Sequence, residues 1–300
     1  MKGSCICFPD AAHTSHCLTY VPIDSMTDAL PNIAAVMKFL EDWAPPNSAQ
    51  SYDNVGLQVG DPTRPVRKAL IALDMTPAVL REAKSLGATL ILTHHPLIFQ
   101  PLRHLTPGDL PSSLALRLAE ARIALYSIHT NLDAASGGVS FGLGEVLGIR
   151  DLTFLHRFEN GDRPTGLGAV GVLEKPMPLR DFLTHVSDRL SAASLRYAGN
   201  PEMYVERVAV CGGAGADFVA QAVAAGADAY VTSDVKYHRF FDVLDNDGEP
   251  RMAFIDAGHY ETESMAIDLL RRRLDEHFHT VEWRSSAIRT SPMRTFAPVL

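Results

Sequence analysis

Three hundred residues, 46% of them hydrophobic, suffice for one large or two ordinary domains with a sizeable core. A formal net charge of −8 leaves no global basic field for nucleic acid. No apolar run is long enough to cross a bilayer, and four cysteines, three of them crowded near the start, do not make a disulfide scaffold, so the chain reads as cytoplasmic.

Residues 1–25 carry Cys5, Cys7, Cys17, His13 and His16 without helical or strand periodicity. They read as a disordered extension: no continuous apolar core follows Lys2, as a signal peptide needs, and the ligand spacing fits no common zinc pattern. Ile33, Val36, Met37, Leu40 and Trp43 recur at helical period across 30–43, and Pro45-Pro46 ends that helix. Asp53-Asn54-Val55-Gly56-Leu57-Gln58-Val59-Gly60 reads as a tight loop into a strand. A strand over 69–73 leads to a helix over 76–86, opened by Thr76 as cap and Pro77 in the first turn. The apolar run 89–92 is strand-like and ends in Thr93-His94-His95-Pro96. Residues 101–111 form an irregular loop, a candidate lid.

A buried strand over 122–128 ends in His129-Thr130-Asn131-Leu132-Asp133, which reads as a loop. A helix then runs to Leu147, a strand covers 166–173, a helix 179–190 and a short strand 194–197. The strand 208–211 enters Cys211-Gly212-Gly213-Ala214-Gly215, which lacks both the dinucleotide fingerprint and the lysine of a phosphate loop and reads as a plain turn. Lys236-Tyr237-His238 lie just beyond the strand end at Thr232-Ser233-Asp234. They are candidates for substrate contact or a general acid, against the plainer reading of a polar helix start. The strand 252–256 ends in Gly258-His259-Tyr260-Glu261-Thr262-Glu263, and Arg271-Arg272-Arg273 reads as a solvated helix face rather than a nucleic-acid contact.

The chain repeats itself. Residues 69–94 align with 208–233 without a gap, each running strand, helix, Gly-Ala, strand, threonine, and each followed by a last strand ending in a histidine with a carboxylate four residues on. Strand–helix alternation implies largely parallel sheets, and in such sheets sites form beyond the carboxyl ends of strands. The expected fold is therefore α/β: two interlinked, internally repeated domains. The first comprises 26–135 plus 258–300, and the second 136–257.

His94, His95, Asp133, His259 and Glu263 all fall at strand carboxyl ends. Paired histidines leaving one strand end cannot both enter a packed core, and imidazole is the commonest metal ligand. On a helical first turn His259 and Glu263 share a face. Three histidines and two carboxylates are many for one catalytic ion and suit two ions sharing a carboxylate, with zinc, iron, manganese or cobalt preferred over calcium. His129 is read as orienting Asp133 from behind, or as a sixth ligand.

The four motifs around Asp53, His94, His129 and His259 occur in an order that resembles the dinuclear-metal proteins known as GTP cyclohydrolase I type 2 homologues, or NGG-interacting-factor-like proteins. The resemblance covers about 26–282. It implies ligands at His94, His95, Asp133, His259 and Glu263, with Glu263 as the bridge, and two divalent ions per subunit. It also implies a toroidal homo-hexamer with metal sites facing an internal cavity. The expected activity is metal-dependent hydrolysis of a purine nucleotide, with His129, His238 or Lys236 moving protons. A phosphoester hydrolase or amidohydrolase using the same metals, and a metal-binding or metallochaperone protein without turnover, are the alternatives.

Overall fold

The computed structural model describes residues 29–158 and 164–296. Cys5, Cys7, Cys17, His13 and His16, and with them the expected extension, lie outside the described residues.

In chain order the elements are α1 (Ile33–Trp43), β1 (Gly56–Val59), β2 (Lys68–Ala72), α2 (Pro77–Leu86), β3 (Leu90–Thr93), α3 (Leu110–Ala121), β4 (Ala124–Ser127), α4 (Thr130–Asp133), α5 (Val139–Val146), β5 (Ile149–Arg157), β6 (Gly166–Pro178), α6 (Leu179–Leu190), β7 (Arg196–Ala198), β8 (Tyr204–Val210), α7 (Val219–Ala224), β9 (Ala229–Thr232), β10 (Ala253–Asp256), α8 (His259–Glu263), α9 (Met265–His277) and β11 (Glu282–Ser285). One sheet has the order β1-β4-β3-β2-β11, the other β5-β6-β8-β9-β10-β7. β4, β3, β2 and β11 run parallel, with β1 antiparallel at the edge. In the second sheet β8, β9 and β10 are parallel, flanked by antiparallel β6 and β7.

Period-2 alternation explains why the first sheet is covered on both faces. Ala69, Ile71 and Leu73 enter one core with α1 and α9, while Leu70 and Ala72 enter another with residues of α2 and α3. Local signals close the helices. Asn32 caps α1 by accepting from Ala35 N, and Thr76 caps α2, which ends on Gly87 in the left-handed region. In the basic run on α9, Arg271 pairs with Asp268 and Asp275, and Arg273 lies 4.1 Å over the Trp43 ring.

The repeat is visible in the strand register. Ala69 pairs with Leu90 and Val208 with Ala229, so the gap-free alignment holds strand for strand. Thr93 pairs with Ser127, and its counterpart Thr232 pairs with Asp256. Counting on from those pairs sets His129 opposite Gly258, not His259. The two histidine–carboxylate motifs are therefore offset by one residue. His259 is the first residue of α8, whereas His129 precedes α4. The stretch 130–133 is itself a helical turn rather than the loop its polar sequence suggests. Tertiary contacts hold it: Asp53 accepts from the Thr130 backbone N–H and hydroxyl, and buried Asn131 donates to the Ala44 carbonyl at 2.8 Å.

Candidate metal centre

The carboxyl ends of β3, β4 and β10 bring four imidazoles together. Ring centroids are 5.1 Å apart for His94 and His95, 5.1 Å for His94 and His129, 5.3 Å for His95 and His129, and 5.3 Å for His95 and His259. Each ring is held from behind at Nδ1. His94 Nδ1 donates to the Ile128 carbonyl at 2.9 Å, and a carbonyl only accepts, so the proton is on Nδ1. His95 Nδ1 meets Asp74 at 2.7 Å, His129 Nδ1 meets Asp53 at 2.9 Å, and His259 Nδ1 meets Asp234 at 2.8 Å. Fixing the proton at Nδ1 leaves Nε2 with its lone pair, the arrangement that prepares an imidazole to ligate.

Those Nε2 atoms converge on the buried carboxylate of Glu263 and the half-buried one of Asp133. His94 Nε2 lies 3.6 Å from Asp133 Oδ1 and 3.8 Å from Glu263 Oε1. His95 Nε2 and His259 Nε2 lie 3.0 and 3.1 Å from Glu263 Oε2. The predicted sharing of a face by His259 and Glu263 is realised in that last contact. With every ring neutral, lone pairs would thus face lone pairs around the buried Glu263 carboxylate. Among the described residues His94 Nε2, Asp133 Oδ1 and Glu263 Oε2 are buried without a hydrogen-bond partner. Buried acceptors left this way are costly, and a cation between them removes the cost. The donor set therefore fits a metal. His94, His95 and His129 form one group with a ligand atom each inside 4.8 Å of the others, and His95, His259 and Glu263 form a second.

Protons are the other cations that can stand here. Burial opposes charge on His95, but Asp74 and Glu263 outweigh it and push its pKa up to about 9. Burial likewise opposes charge on His259, and Asp234 with Glu263 pushes it up to about 10. Burial works to raise Glu263, yet its histidine contacts hold it well below the usual carboxylate range, whereas burial lifts Asp133 above it. A metal must displace the His95 and His259 protons. Metal uptake at pH 7 is expected to release about two protons per chain, and affinity should climb as pH rises toward 9–10 and fall in acid. Calorimetry in buffers of different ionisation enthalpy reads the number. Heats independent of the buffer would show those two rings uncharged beforehand.

Asp53, which belongs to the first sequence motif, and Asp74 and Asp234 hold the rings of His129, His95 and His259 in pairings that the sequence alone does not assign. Asp74 lies two residues beyond β2 and Asp234 two beyond β9, so position past the end of a parallel strand is the signal for both. His129, read as an orienter of Asp133, is paired instead with Asp53, whose carboxyl is held low by bonds from His129 and Thr130 that outweigh its burial. Lys236 and His238 are exposed, and no hydrogen bond or ring contact among the described residues joins either to the cluster. His238 touches the Tyr237 and Phe241 rings. The glycine turn after β8 makes room for the central carboxylate. A Cβ on Gly213 would stand 2.0 Å from Glu263 Oε1, so only glycine fits there. Beside His129, Phe99 lies 6.5 Å from its ring and 6.3 Å from Tyr52, and both aromatics are exposed.

A family model described as Duf34/NIF3 (NGG1p interacting factor 3) matches residues 31–292. A GTP cyclohydrolase 1 type 2 homolog of Clostridium perfringens is 36% identical over 244 residues, spanning 80% of this chain and 91% of that protein. Among solved structures, a hypothetical protein of Staphylococcus aureus superposes with a TM-score of 0.81 at 28% identity, covering 89% of this chain and 100% of that one. A Bacillus cereus protein related to NIF3 gives 0.81 at 25% identity with the same coverage. With the family model matched over most of its length, this chain belongs to the Duf34/NIF3 family.

Proposed function

We propose that the chain is a dinuclear-metal hydrolase of the cytoplasm acting on a purine nucleotide, in the manner implied by the name GTP cyclohydrolase 1 type 2 homolog that its relatives carry. The observation that carries this reading is the division of labour at Glu263. Its Oε1 faces His94, which Asp133 also approaches, and its Oε2 faces His95 and His259. One carboxylate with a separate set of ligands at each oxygen suits a bridge between two ions. His94 and Asp133 would hold one ion, His95 and His259 the other. Such ions, when bound, acidify water and polarise substrate oxygens. No helix among the described residues is long and apolar enough to cross a membrane.

The protein's own groups supply the rest. Asp53, Asp74 and Asp234 keep the rings oriented. His129, with Nδ1 occupied by Asp53, has Nε2 free at the edge of the cluster and is the proton carrier we assign. Lys236 and His238 receive no step. Tyr52 and Phe99 offer exposed aromatic surface at the mouth, suited to a flat heterocycle. We assign the assembled form as a toroidal hexamer with the sites facing its cavity.

Elemental analysis combined with native mass is expected to return two metal ions per chain and six chains per particle. Protein loaded with zinc, iron or manganese and incubated with GTP is expected to release formate, and to lose that activity in His95→Ala. Absence of formate with all three metals would remove GTP as the substrate.

A further inference from the structure

The chain continues past β11 into a segment that reaches both halves of the candidate centre. Its root is anchored on the first sheet. The Ser286 N–H donates to the Ile71 carbonyl at 2.7 Å, the Ala287 N–H donates to Glu82 at 2.9 Å, and the Ser286 hydroxyl also donates to Glu82. Four residues on, the Thr290 hydroxyl donates to Asp74 Oδ2. Asp74 is the carboxylate whose other oxygen holds His95 Nδ1. A carboxylate bonded at one oxygen can swing about its Cβ–Cγ bond. Bonded at both, it has one plane, and the ring it orients is fixed with it.

Between these points, Arg289 lies 4.4 Å over the Tyr260 ring and pairs with Glu261. Tyr260 and Glu261 sit within α8, between His259 and Glu263. Glu261 folds back over Gly258: a Cβ there would meet its Oε2 at 2.3 Å. It is therefore gripped between that turn and Arg289, and the turn launches both ligand candidates of the second sheet. One short segment thus steadies His95 from the first sheet and the His259–Glu263 pair from beyond the second.

We propose that Arg289 and Thr290 are positioning residues, forming a strap that holds His95, His259 and Glu263 in ligating geometry and slows loss of metal. The proposal rests on the metal-centre reading above. The full chain is loaded with zinc, and transfer of zinc to an excess of a chromogenic chelator is timed at 25 °C alongside the thermal midpoint of each metal-free variant. Thr290→Val, which keeps the shape and removes the hydroxyl, is expected to release zinc about 10–100-fold faster, the scale on which loss of an orienting partner weakens a metal site. Thr290→Ser should restore the wild-type rate. Arg289→Lys, which keeps the charge facing Glu261 but not the flat stacking on Tyr260, provides a second variant and should also release faster. A merely structural strap would lower the metal-free midpoint and leave release unchanged, and that result overturns the proposal. If the wild-type chain retains no zinc, the metal-centre reading fails and the strap's role falls with it. If the wild type and both Thr290→Val and Arg289→Lys release zinc at one rate, only the strap is refuted.

Discussion

Glu263→Gln is expected to remove metal binding while leaving a folded protein. Glutamine matches glutamate in size but carries no charge, and its amide cannot serve two cations from two oxygens. The loss should exceed the ~10–100-fold that follows removal of an orienting partner, because Glu263 is itself the group between His94 on one side and His95 with His259 on the other. The metal-free protein should also lose stability. Glu263 is 3% exposed, and its carboxyl is held well below the usual range by those histidines. A carboxyl with a depressed folded pKa contributes stability above its unfolded value of about 4.3, and that contribution is lost as pH falls through the folded value. The difference between wild type and Glu263→Gln should therefore be full at pH 7 and shrink in strong acid. Breaking a buried ion pair costs about 3–5 kcal/mol, and the lower end applies because His95 and His259 can discharge. Urea midpoints with chelator present, at pH 7 and pH 3, measure the one effect, and chelator competition measures the other. Equal metal affinity in the variant would place the centre elsewhere.

Much of this arrangement was legible because short apolar runs in a parallel sheet declare their own ends. Residues 89–92, 122–128 and 252–256 announced β3, β4 and β10, and the polar residues just beyond them fell where the sheets present them. Helix α6 matched its expected span, since Leu179, Phe182, Val186 and Leu190 all bury on one face. The orienting aspartates were harder to see. Asp53, Asp74 and Asp234 are far apart in sequence, each is a single carboxylate in a polar stretch, and nothing local to any of them names the histidine it will meet. The helical turn at 130–133 is hidden for a related reason: its contacts to Asp53 and Ala44 come from more than seventy residues away, and no local propensity reveals them. The antiparallel edges β5 and β7 and the terminal strand β11 pair with partners chosen by the fold. For β11, residues 282–285 carry too much charge to read as a buried strand, yet they extend the first sheet beside β2. The one-residue offset between the His129 and His259 motifs follows from strand pairing and has no counterpart in the spacing of the sequence.

Gly213→Ala is expected to reproduce most of the metal loss of Glu263→Gln without touching a ligand. Two separate penalties meet at this position and can be told apart. The first is conformational: Gly213 has φ +62, and a left-handed residue with a Cβ loses about 1–2 kcal/mol relative to glycine. The second is steric. The new methyl would stand 3.0 Å from Glu263 Cδ and 2.0 Å from its Oε1, and no Cβ tolerates the shorter of these. The turn cannot easily retreat. The Gly213 N–H donates to Thr262 Oγ1 at 3.1 Å, and its carbonyl accepts from the Ser233 N–H at 3.0 Å. Glu263 must move instead, and any rotation that clears the methyl carries its oxygens away from His94, His95 and His259. Gly226→Ala provides the comparison. Gly226 has φ +66 and nothing within 4 Å of the added carbon, so it incurs the conformational penalty alone. Gly226→Ala should therefore lose ~1–2 kcal/mol in urea melts of the metal-free protein, and Gly213→Ala more, because the displaced Glu263 also gives up its histidine contacts. Only Gly213→Ala should fail to hold metal in chelator competition. If the two variants retain metal equally well, the glycine turn is plain turn chemistry after all, and the closeness of Gly213 to Glu263 has no part in building the centre.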